Sequence, residues 1–490
     1  MKKILVANRG EIALRIMKTA KKMGIKTVAV FSEIDRNAPH TLFADEAVCI
    51  GPAPSAQSYL RADHIIELAL QLKVDGIHPG YGFLSENAEF AQKITDAGIR
   101  FIGPSPHSME MMGSKISAKE TVKTYGIPMV PGMDKAILDK NEAIDIALQI
   151  GFPILIKASA GGGGKGMRIV ENAEELPEQM DRAMSEALSA FGDKAVFIEK
   201  YITAPRHIEI QVLADDHGNV VHLFERECSI QRRHQKLIEE APSSILDPIL
   251  RQKMGKAAID VAKACNYSGA GTVEFLVDHL NNFYFLEMNT RLQVEHTVSE
   301  IICDLDLVEQ QIKVARGEKL AFTQEDLKIN GHAIELRICA EDPANNFLPS
   351  IGVLHKFQLP ELKNIRLDSG YVQGMEIPIQ YDPLIAKLIA YGATRDEAIT
   401  NLISAIDQFV IEGIETTLGF GKFVFTHPDF INGTFDTNFI PKNFDPKKWI
   451  ESNNAEKDAA AILATYIYMQ EARQAIEIDN STSNWKNNRN

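Results

Sequence analysis

Short apolar runs alternate with amphipathic stretches over the first hundred residues. Residues 3–7 and 26–31 are apolar runs of strand length, and between them Ile12, Ile16 and Ala20 recur at helical spacing. A predicted helix over 59–72 and predicted strands over 76–78 and 100–102 continue the alternation. Because β-α-β units pair their strands in parallel, the pattern predicts an α/β fold that opens with a doubly wound parallel sheet.

The turn Asn8-Arg9-Gly10-Glu11 follows the first predicted strand, at the edge where doubly wound sheets bind ligands. It lacks the G-x-G-x-x-G pattern, so we do not expect a dinucleotide there. A second turn, over residues 78–87, is rich in glycine and serves either a ligand or close packing equally well.

The pattern changes after residue 115. Helices are predicted over 115–124 and 140–149, and strands over 152–157 and 167–170 enclose a run of glycines, 161–166, interrupted by Lys165. A strand follows this run where a dinucleotide loop would open a helix, and Gly166 stands where a Walker A loop needs Ser or Thr. Lys157, Lys165 and Arg168 flank the glycines, so we interpret the run as a mobile phosphate-binding lid; the alternative is a plain glycine hinge.

A predicted hairpin carries the most concentrated set of polar groups. Strands over 272–277 and 283–287 place Glu274 opposite Glu287 or one position off, with Cβ atoms about 5 Å apart. If the chain stays extended to Glu295, its two-residue period puts alternate polar residues on one face: Glu287, Asn289, Arg291, Gln293 and Glu295. Carboxylate and amide oxygens suit Mg²⁺ or Mn²⁺, whereas the alternative is a solvated polar face.

Other elements complete an α+β middle region and a mixed α/β C-terminal region. The pattern predicts a half-buried strand over 207–212, helices over 248–266, 301–316 and 395–412, and a strand over 331–339. A last helix over 455–475 carries an apolar face and is either an end-cap or a docking surface, before a frayed tail. We place domains at 1–113, 114–317 with a lid subdomain at about 130–203, and 331–445, followed by the helix and tail at 446–490.

Composition narrows the class of protein. The chain has 490 residues, which exceeds what one core supports, and its net charge of −14 argues against nucleic acid or an anionic membrane as partner. Five cysteines without C-x-x-C spacing indicate reduced thiols. No apolar run reaches the length of a membrane span or a secretory signal, so we expect a cytoplasmic protein.

Six stretches together carry a family resemblance. They are residues 7–13 (Ala-Asn-Arg-Gly-Glu-Ile-Ala), 78–87, 161–167, 231–236, Glu274-Phe275 and 287–296. In this order they resemble the biotin carboxylase subunit of biotin-dependent carboxylases, an ATP-grasp enzyme, over nearly all of residues 1–445. One departure is Ala160, where some members carry another glycine.

The resemblance implies a reaction in two steps. ATP phosphorylates bicarbonate to carboxyphosphate, and the resulting CO₂ is transferred to N1′ of biotin carried on another protein or domain. Glu295 is expected to be the base, Arg337 to stabilise the biotin enolate, and a cradle to hold bicarbonate: Lys236, Arg291, Gln293 and the Val294 backbone. Two Mg²⁺ or Mn²⁺ ions are expected on Glu274, Glu287 and Asn289.

The resemblance also implies a nucleotide site. Lys115 and Lys157 are expected to hold the ATP phosphates beneath the lid glycines Gly161, Gly162, Gly163, Gly164 and Gly166. The residues expected along the adenine, the ribose and the rest of the nucleotide are Glu199, Lys200, Ile202, His207, Gln231 and His234. Tyr81 is expected to be structural.

Alternatives remain at this stage. Another ATP-grasp carboxylate–amine ligase would share the lysines and Glu274 with Glu287 but would not need Arg337, and a nucleotide sensor with a dead site is a third possibility. Arg337 could instead form a structural ion pair with Glu335, and Glu295 an ordinary pair with an arginine. No biotin-acceptor sequence of the Ala-Met-Lys-Met type and no carboxyltransferase half is found, so we expect one subunit of a complex with a biotin carrier and a transferase. The resemblance implies a homodimer and leaves acetyl-CoA, propionyl-CoA or pyruvate as acceptor.

Overall fold

The computed structural model describes residues 1–113, 115–132, 137–158, 167–191, 194–451 and 461–469, and structural statements below concern these residues. The N-terminal region alternates strands and helices as predicted. Its elements are β1 (Lys3–Val6), α1 (Gly10–Lys22), β2 (Lys26–Ser32), α2 (Pro39–Phe43), β3 (Glu46–Gly51), α3 (Ala62–Gln71), β4 (Gly76–His78), α4 (Ala88–Asp96), β5 (Arg100–Phe101) and α5 (Pro106–Gly113).

The five N-terminal strands form one parallel sheet in the order β3-β2-β1-β4-β5. The order reverses at β1, and apolar clusters cover both faces of the sheet. The doubly wound prediction is confirmed. The turn after β1 therefore lies at the crevice where such sheets hold ligands.

The middle region pairs helices with antiparallel strands. Its elements are α6 (Lys115–Thr124), α7 (Lys140–Ile150), β6 (Ile154–Ala158), β7 (Arg168–Val170), α8 (Leu176–Phe191), β8 (Val196–Lys200), β9 (Arg206–Ala214), β10 (Val220–Arg232), β11 (Gln235–Ala241), α9 (Pro248–Ala264), β12 (Gly269–Val277), β13 (Phe283–Asn289), α10 (His296–Cys303) and α11 (Leu307–Ala315). β6, β7 and β8 form a separate three-stranded sheet in the order β7-β6-β8. The predicted lid glycines, Gly161 to Gly166, lie outside the described residues.

The C-terminal region is mixed, as predicted. Its elements are β14 (His332–Cys339), β15 (Glu341–Asp342), β16 (Leu348–Pro349), β17 (Gly352–Val353), β18 (Lys356–Gln358), β19 (Ile365–Ser369), β20 (Glu376–Ile377), β21 (Leu384–Gly392), α12 (Arg395–Gln408), β22 (Val410–Glu412), α13 (Leu418–Thr426), α14 (Pro428–Ile431) and α15 (Phe439–Asn443). The side chain of Thr394 caps α12 by accepting the Glu397 N–H, just as Asp247 caps α9 in the middle region.

One eight-stranded antiparallel sheet runs from the middle region into the C-terminal region, in the order β13-β12-β9-β10-β11-β14-β21-β19. Apolar clusters pack against it on the α9 side and on the α12 and α13 side. Almost all residues expected to carry chemistry after residue 205 lie on this sheet or on the turn that follows β13. The sheet is therefore the frame of the site.

Four local predictions are wrong. The helix predicted over 395–412 ends at Gln408, because residues 410–412 form β22, which pairs with β18. The row from Glu287 to Glu295 does not stay extended, because β13 ends at Asn289 and a turn leads into α10. The helix predicted over 301–316 is two helices, separated at Asp304, whose φ of 52° ends α10 in the left-handed region. The strand predicted as half-buried over 207–212 is buried along its whole length, since helices cover one face and the site's own polar network fills the other.

The end-cap interpretation of the last helix also fails where the structure describes it. Residues 461–469 are helical, and Ile462 and Leu463 are 71% and 59% exposed, with Tyr466 and Met469 exposed as well. The rest of the predicted helix, 455–460 and 470–475, lies outside the described residues. In the part that is described, the apolar face does not pack on the C-terminal region.

Candidate active site

A cleft of ≈ 1730 Å³ lies where the three regions meet. Its walls come from the turns that follow β1 and β4, from the hairpin of β10 and β11, from β13 and the turn after it, and from β14. The sites predicted from sequence that line this cleft are Lys157, Glu199, Lys200, Ile202, His207, Gln231, His234, Lys236, Glu274, Glu287, Asn289, Arg291, Gln293, Val294, Glu295 and Arg337. The fold thus brings the residues predicted to bind the nucleotide and those predicted to bind bicarbonate and biotin into one cavity.

The ammonium group of Lys236 lies among three carboxylates. Its Nζ donates to Glu209 at 2.5 Å, to Glu274 at 2.8 Å and to Glu295 at 2.7 Å. Burial by itself disfavours a charged ammonium, but these three carboxylates together raise the pKa of Lys236 well above its usual range. The lysine is therefore a fixed positive charge, and it offsets the repulsion among its three neighbours.

Glu295 lies between two cations. Its second carboxylate oxygen accepts from Arg337 Nη2 at 2.9 Å, while Arg337 Nε donates to Glu239 at 2.6 Å. Burial alone would raise the pKa of Glu295, but Lys236 and Arg337 lower it well below its usual range. The partners that Arg337 contacts are therefore Glu239 and Glu295. The alternative ion pair with Glu335 is not the contact the fold makes.

Gln293 is held by a buried arginine that sequence reasoning did not single out. Arg226, on β10, donates through Nη2 to the Gln293 side-chain oxygen at 2.6 Å and through Nε to Glu209 at 2.5 Å. The Gln293 amide nitrogen then donates to Glu274 at 2.8 Å. This chain of contacts fixes the amide orientation of Gln293 at the cleft wall.

Glu274 and Glu287 form the predicted cross-strand pair. They lie directly opposite each other in the register of β12 and β13, and both line the cleft, Glu274 buried and Glu287 exposed. Glu274 accepts from His207 Nε2 at 2.9 Å and from Asn289 Nδ2 at 2.9 Å. Two carboxylates on adjacent strands at the wall of an open cleft fit a divalent cation that prefers oxygen ligands. Asn289 contacts Glu274 through its N–H₂, and its oxygen accepts from Arg291 at 2.9 Å.

Glu199 organises the other end of the cleft. Its carboxylate pairs with Lys157 at 2.5 Å and with Lys119, which comes from α6. Burial would raise the pKa of Glu199, but the two lysines lower it. Three charged groups are thus held together, and one of them, Lys157, lies on β6, the strand that leads into the predicted lid.

The remaining described residues that were predicted to line the nucleotide also face the cleft. Lys200 donates to the carbonyl groups of Gly151 and Phe152, at 2.9 Å and 2.8 Å, while Gln231 approaches His207 Nδ1 at 3.3 Å. His234 lies at the tip of the β10–β11 hairpin with a left-handed φ of 66°. Ile202 lines the same wall. The side chain of Lys115 lies outside what the structure describes.

Arg291 points toward the N-terminal region. Its Nε donates to Glu86 at 2.8 Å, and the Thr290 N–H also donates to Glu86, at 3.1 Å. The Val294 carbonyl accepts from Lys387 at 2.7 Å. Tyr81, predicted to be structural, lines the cleft and donates to Glu11.

Sequence reasoning missed several members of the site: Glu86, Lys119, Glu209, Arg226, Glu239 and Lys387. For Glu209 a signal existed, because the two-residue period of β9 places it on the same face as His207 and Gln211. The other five become visible only through pairing between distant segments.

Within the described part of the chain, no helix combines the length and apolar character that crossing a membrane requires.

Three family models match consecutive parts of the chain. The model for the biotin carboxylase N-terminal domain matches residues 1–109, and the model for the biotin carboxylase C-terminal domain matches 335–442. Between them, the model for the ATP binding domain of the carbamoyl-phosphate synthase L chain matches residues 114–323. This succession of matches, over a cleft lined by lysines and by a cross-strand carboxylate pair, places the chain in the ATP-grasp class.

Relatives extend the match over most of the chain. The biotin carboxylase of Halalkalibacterium halodurans is 51% identical over 446 residues, which cover 91% of this chain and 98% of that protein. The chain therefore belongs to the biotin carboxylase family. The mitochondrial propionyl-CoA carboxylase alpha chain of Sus scrofa is 53% identical over 440 residues, 89% of this chain but 60% of that protein. The chain thus spans about three fifths of the length of that relative.

A solved structure agrees in fold. The biotin carboxylase domain dimer of the Hydrogenobacter thermophilus 2-oxoglutarate carboxylase, in complex with MgADP, ADP and bicarbonate, has a TM-score of 0.84 at 47% identity. The match covers 90% of this chain and 97% of that one. The fold class and the family resemblance predicted from sequence are both confirmed.

Proposed function

We propose that this chain carboxylates N1′ of biotin, held on a carrier protein or domain, using ATP and bicarbonate. The observation that carries the proposal is the position of Glu295 between Lys236 and Arg337, in the same cleft as the Glu199 group. A ligase needs its base, its anion-binding cations and its nucleotide site in one cavity, and this cleft holds candidates for all three.

Bicarbonate would bind beside Glu295. Lys236 and Arg291 are cations at the cleft wall, and Gln293 presents an amide whose orientation Arg226 fixes. Charge-assisted hydrogen bonds from these groups would hold the bicarbonate oxygens. Glu295 would then take the hydroxyl proton as a bicarbonate oxygen forms its bond to the γ-phosphorus and the bond to ADP breaks.

The pKa of Glu295 is consistent with a base that is switched on by its substrate. In the described structure Lys236 and Arg337 contact Glu295 directly; burial would raise the pKa of Glu295, but these two cations lower it, which makes it a weak base. Bicarbonate bound to Lys236 would draw this cation away from Glu295 and raise its pKa. Proton transfer would thus be favoured only when the nucleophile is in place.

At the other end of the cleft, Lys157 would hold the phosphates of ATP, together with Lys115. Mg²⁺ or Mn²⁺, when bound, would offset charge on the transferring phosphoryl group, and Glu274 and Glu287 are the carboxylates that would hold the first and a second ion. In the described structure Lys157 pairs with Glu199, so nucleotide binding would exchange that contact for a phosphate.

Arg337 would act on the second substrate. Its guanidinium group is kept charged by Glu239 and Glu295 and lines the cleft. When biotin loses its N1′ proton, negative charge develops on the ureido oxygen, and a fixed guanidinium would stabilise that enolate. Carboxyphosphate would break into CO₂ and phosphate; the phosphate would take the N1′ proton, and the deprotonated N1′ would attack CO₂ to form the new N–C bond.

The partners follow from the reaction. A biotin carrier protein or domain and a carboxyltransferase would complete the cycle, and the dimer in the Hydrogenobacter structure supports a homodimer. The relatives are named for biotin carboxylase, propionyl-CoA carboxylase and pyruvate carboxylase, so an acyl-CoA or pyruvate would be the final acceptor.

The test measures ADP release by the purified chain with Mg²⁺. We expect turnover that needs bicarbonate, rises with free biotin and is lost in Glu295→Gln. Glu240→Gln is the matched control, because it also removes a buried carboxylate, one that pairs with His332 and Arg395 away from the cleft. ADP release indifferent to bicarbonate and biotin but rising with an added amine would instead support a carboxylate–amine ligase.

A further inference from the structure

Two cations that the chemistry does not use converge on the turn between β13 and α10. Arg226 and Lys387 are both 0% exposed. One donates to the Gln293 side chain and the other to the Val294 carbonyl, the two residues before Glu295. A buried charge is costly unless it has partners, so its presence beside one particular turn calls for an explanation.

We propose that Arg226 and Lys387 are positioning residues that fix the turn 293–295, so that the Val294 N–H and the Glu295 carboxylate face bicarbonate. The proposal rests on the function proposed above and deepens it. Neither residue is expected to touch bicarbonate; each acts through the turn.

The turn needs support from outside itself. Beyond Asn289 the chain leaves the sheet, so residues 290–295 have no ladder of backbone hydrogen bonds. Within the turn, His296 Nδ1 lies 2.8 Å from the Gln293 carbonyl, which fixes one peptide group. The Val294 carbonyl follows directly, and Lys387 supplies its donor at 2.7 Å. The peptide that carries Glu295 is thus held in one orientation.

Arg226 holds the same turn through a side chain. It donates to Gln293 and also to Ser299, at 3.0 Å, on the first turns of α10. Further donors reach Gln211 at 2.6 Å and Thr272 at 3.0 Å, which tie the guanidinium to β9 and β12. The turn and the helix after it are therefore attached to three strands through one side chain.

Lys387 attaches the turn to the other two regions. On β21 it lies beside Arg337 of β14 and Asp368 of β19 in the register, so the three side chains share a face. Its Nζ lies 3.5 Å from Glu11 at the start of α1 and 4.0 Å from Asp368. One ammonium group thus links the N-terminal helix, the C-terminal sheet and the turn.

Arg226 and Lys387 reach the turn 293–295 from opposite sides. In the strand order β10-β11-β14-β21, Arg226 and Lys387 stand three strands apart, roughly 14 Å at the usual strand spacing. The turn lies over the two strands between them, which carry Lys236 and Arg337. Shifting either anchor would move Glu295 relative to those two cations.

The competing explanation is that both residues only stabilise the fold. Arg395 provides a matched control, because it too joins a buried carboxylate to backbone carbonyls: it donates to Glu240, Phe430 and Ile431. It lies in the C-terminal region and does not line the cleft. Arg395→Met should lower the melting temperature without changing the KM for bicarbonate.

The experiment compares Lys387→Met, Arg226→Lys and Arg395→Met by steady-state ADP release. For Lys387→Met and Arg226→Lys we expect kcat/KM for bicarbonate to fall roughly 10- to 100-fold, the loss typical of a misplaced reacting group, while the KM for ATP stays within about twofold. Lys387→Arg keeps the charge beside Glu11 and Asp368 but displaces the donor from the Val294 carbonyl. It should therefore fold even if Lys387→Met does not, and it should show the same selective loss.

Two results would overturn the proposal. One is an unchanged kcat/KM for bicarbonate in folded Lys387→Arg and Arg226→Lys. The other is an equal loss toward ATP and bicarbonate that Arg395→Met reproduces. Failure of the proposed function would look different, since the unmodified chain would then release ADP without any dependence on bicarbonate.

Discussion

Replacing Lys236 by Met tests the electrostatic core of the site. The change removes the one ammonium group shared by Glu209, Glu274 and Glu295 while keeping a side chain of similar length. Glu209 retains Arg226 and Glu295 retains Arg337, so Glu274 loses the most, keeping only His207 and two amide donors.

The size of the effect follows from the distance between carboxylates. A carboxylate oxygen of Glu209 and one of Glu274 lie within 4.8 Å of each other. Two unit charges at that distance repel by about 3 kcal/mol at an effective dielectric constant near 20, which is similar to the measured cost of breaking a buried ion pair. This repulsion raises the pKa of Glu274 in the variant.

The pKa of Glu274 decides whether the stability of the variant rises or falls with pH. In the unmodified chain burial would raise the pKa of Glu274, but Lys236 and His207 lower it well below 4.5, so its contribution to stability does not change between pH 5 and pH 8. In Lys236→Met burial and the neighbouring Glu209 act without that ammonium group, so we expect the folded-state pKa of Glu274 to rise above its unfolded value. The protonated form then supports the fold at low pH, and stability falls as pH rises.

Urea unfolding followed by circular dichroism at pH 5 and pH 8 measures this directly. We expect the variant to lose more stability at pH 8 than at pH 5, and Lys236→Met combined with Glu274→Gln to recover part of the loss at pH 8. An equal loss at both pH values, with no recovery in the double variant, would refute the reasoning that Lys236 is needed to hold the carboxylates together.

Two further predictions concern Glu199, which lines the cleft, and Glu335, which is buried on β14. Glu199→Gln should change the KM for ATP with little effect on the KM for bicarbonate, because Lys157 and Lys119 lose the carboxylate that orients them. Steady-state kinetics with each substrate varied separately measures both constants. An effect confined to the KM for bicarbonate would contradict this prediction. Glu335→Gln should become more stable relative to the unmodified chain as pH rises from 5 to 8. The reason is that burial raises the pKa of Glu335 to about 7, so the unmodified chain loses stability as that carboxyl ionises. Melting curves of both proteins at several pH values measure this, and a difference in melting temperature that stays constant with pH would contradict it.

Hydrophobic periodicity was sufficient to predict elements that form between residues close together in the sequence. Apolar spacing predicted the parallel sheet and helices α1 and α3, and the turn at 278–282 predicted the hairpin that puts Glu274 opposite Glu287. Each of these depends on residues close together in sequence. The two-residue period alone could not show that the chain leaves the sheet after Asn289, because the donor that holds the following turn, Lys387, lies 93 residues from Val294.

The burial of polar side chains was the second feature that the sequence could not predict. Alternation of polar and apolar residues in β9 is typical of a half-buried strand, yet Glu209 and Gln211 are fully buried because Arg226 reaches them from β10. Polar side chains can face inward when they complete one another's hydrogen bonds. A single strand does not reveal its partners, so the central network of the site could not be predicted from its sequence.

The eight-stranded sheet has a consequence for attempts to divide this protein. Family models meet between residues 323 and 335, and cutting the chain at that junction would seem to give a natural pair of modules. However, β11 pairs with β14 across the junction, with Glu239 opposite Glu335. A fragment ending at residue 323 would expose β11 as a long unpaired edge, a template for aggregation, while the complementary fragment would carry Arg337 without its partner Glu295. The candidate active site is therefore a property of the whole sheet, and neither half can be used as a smaller version of this protein.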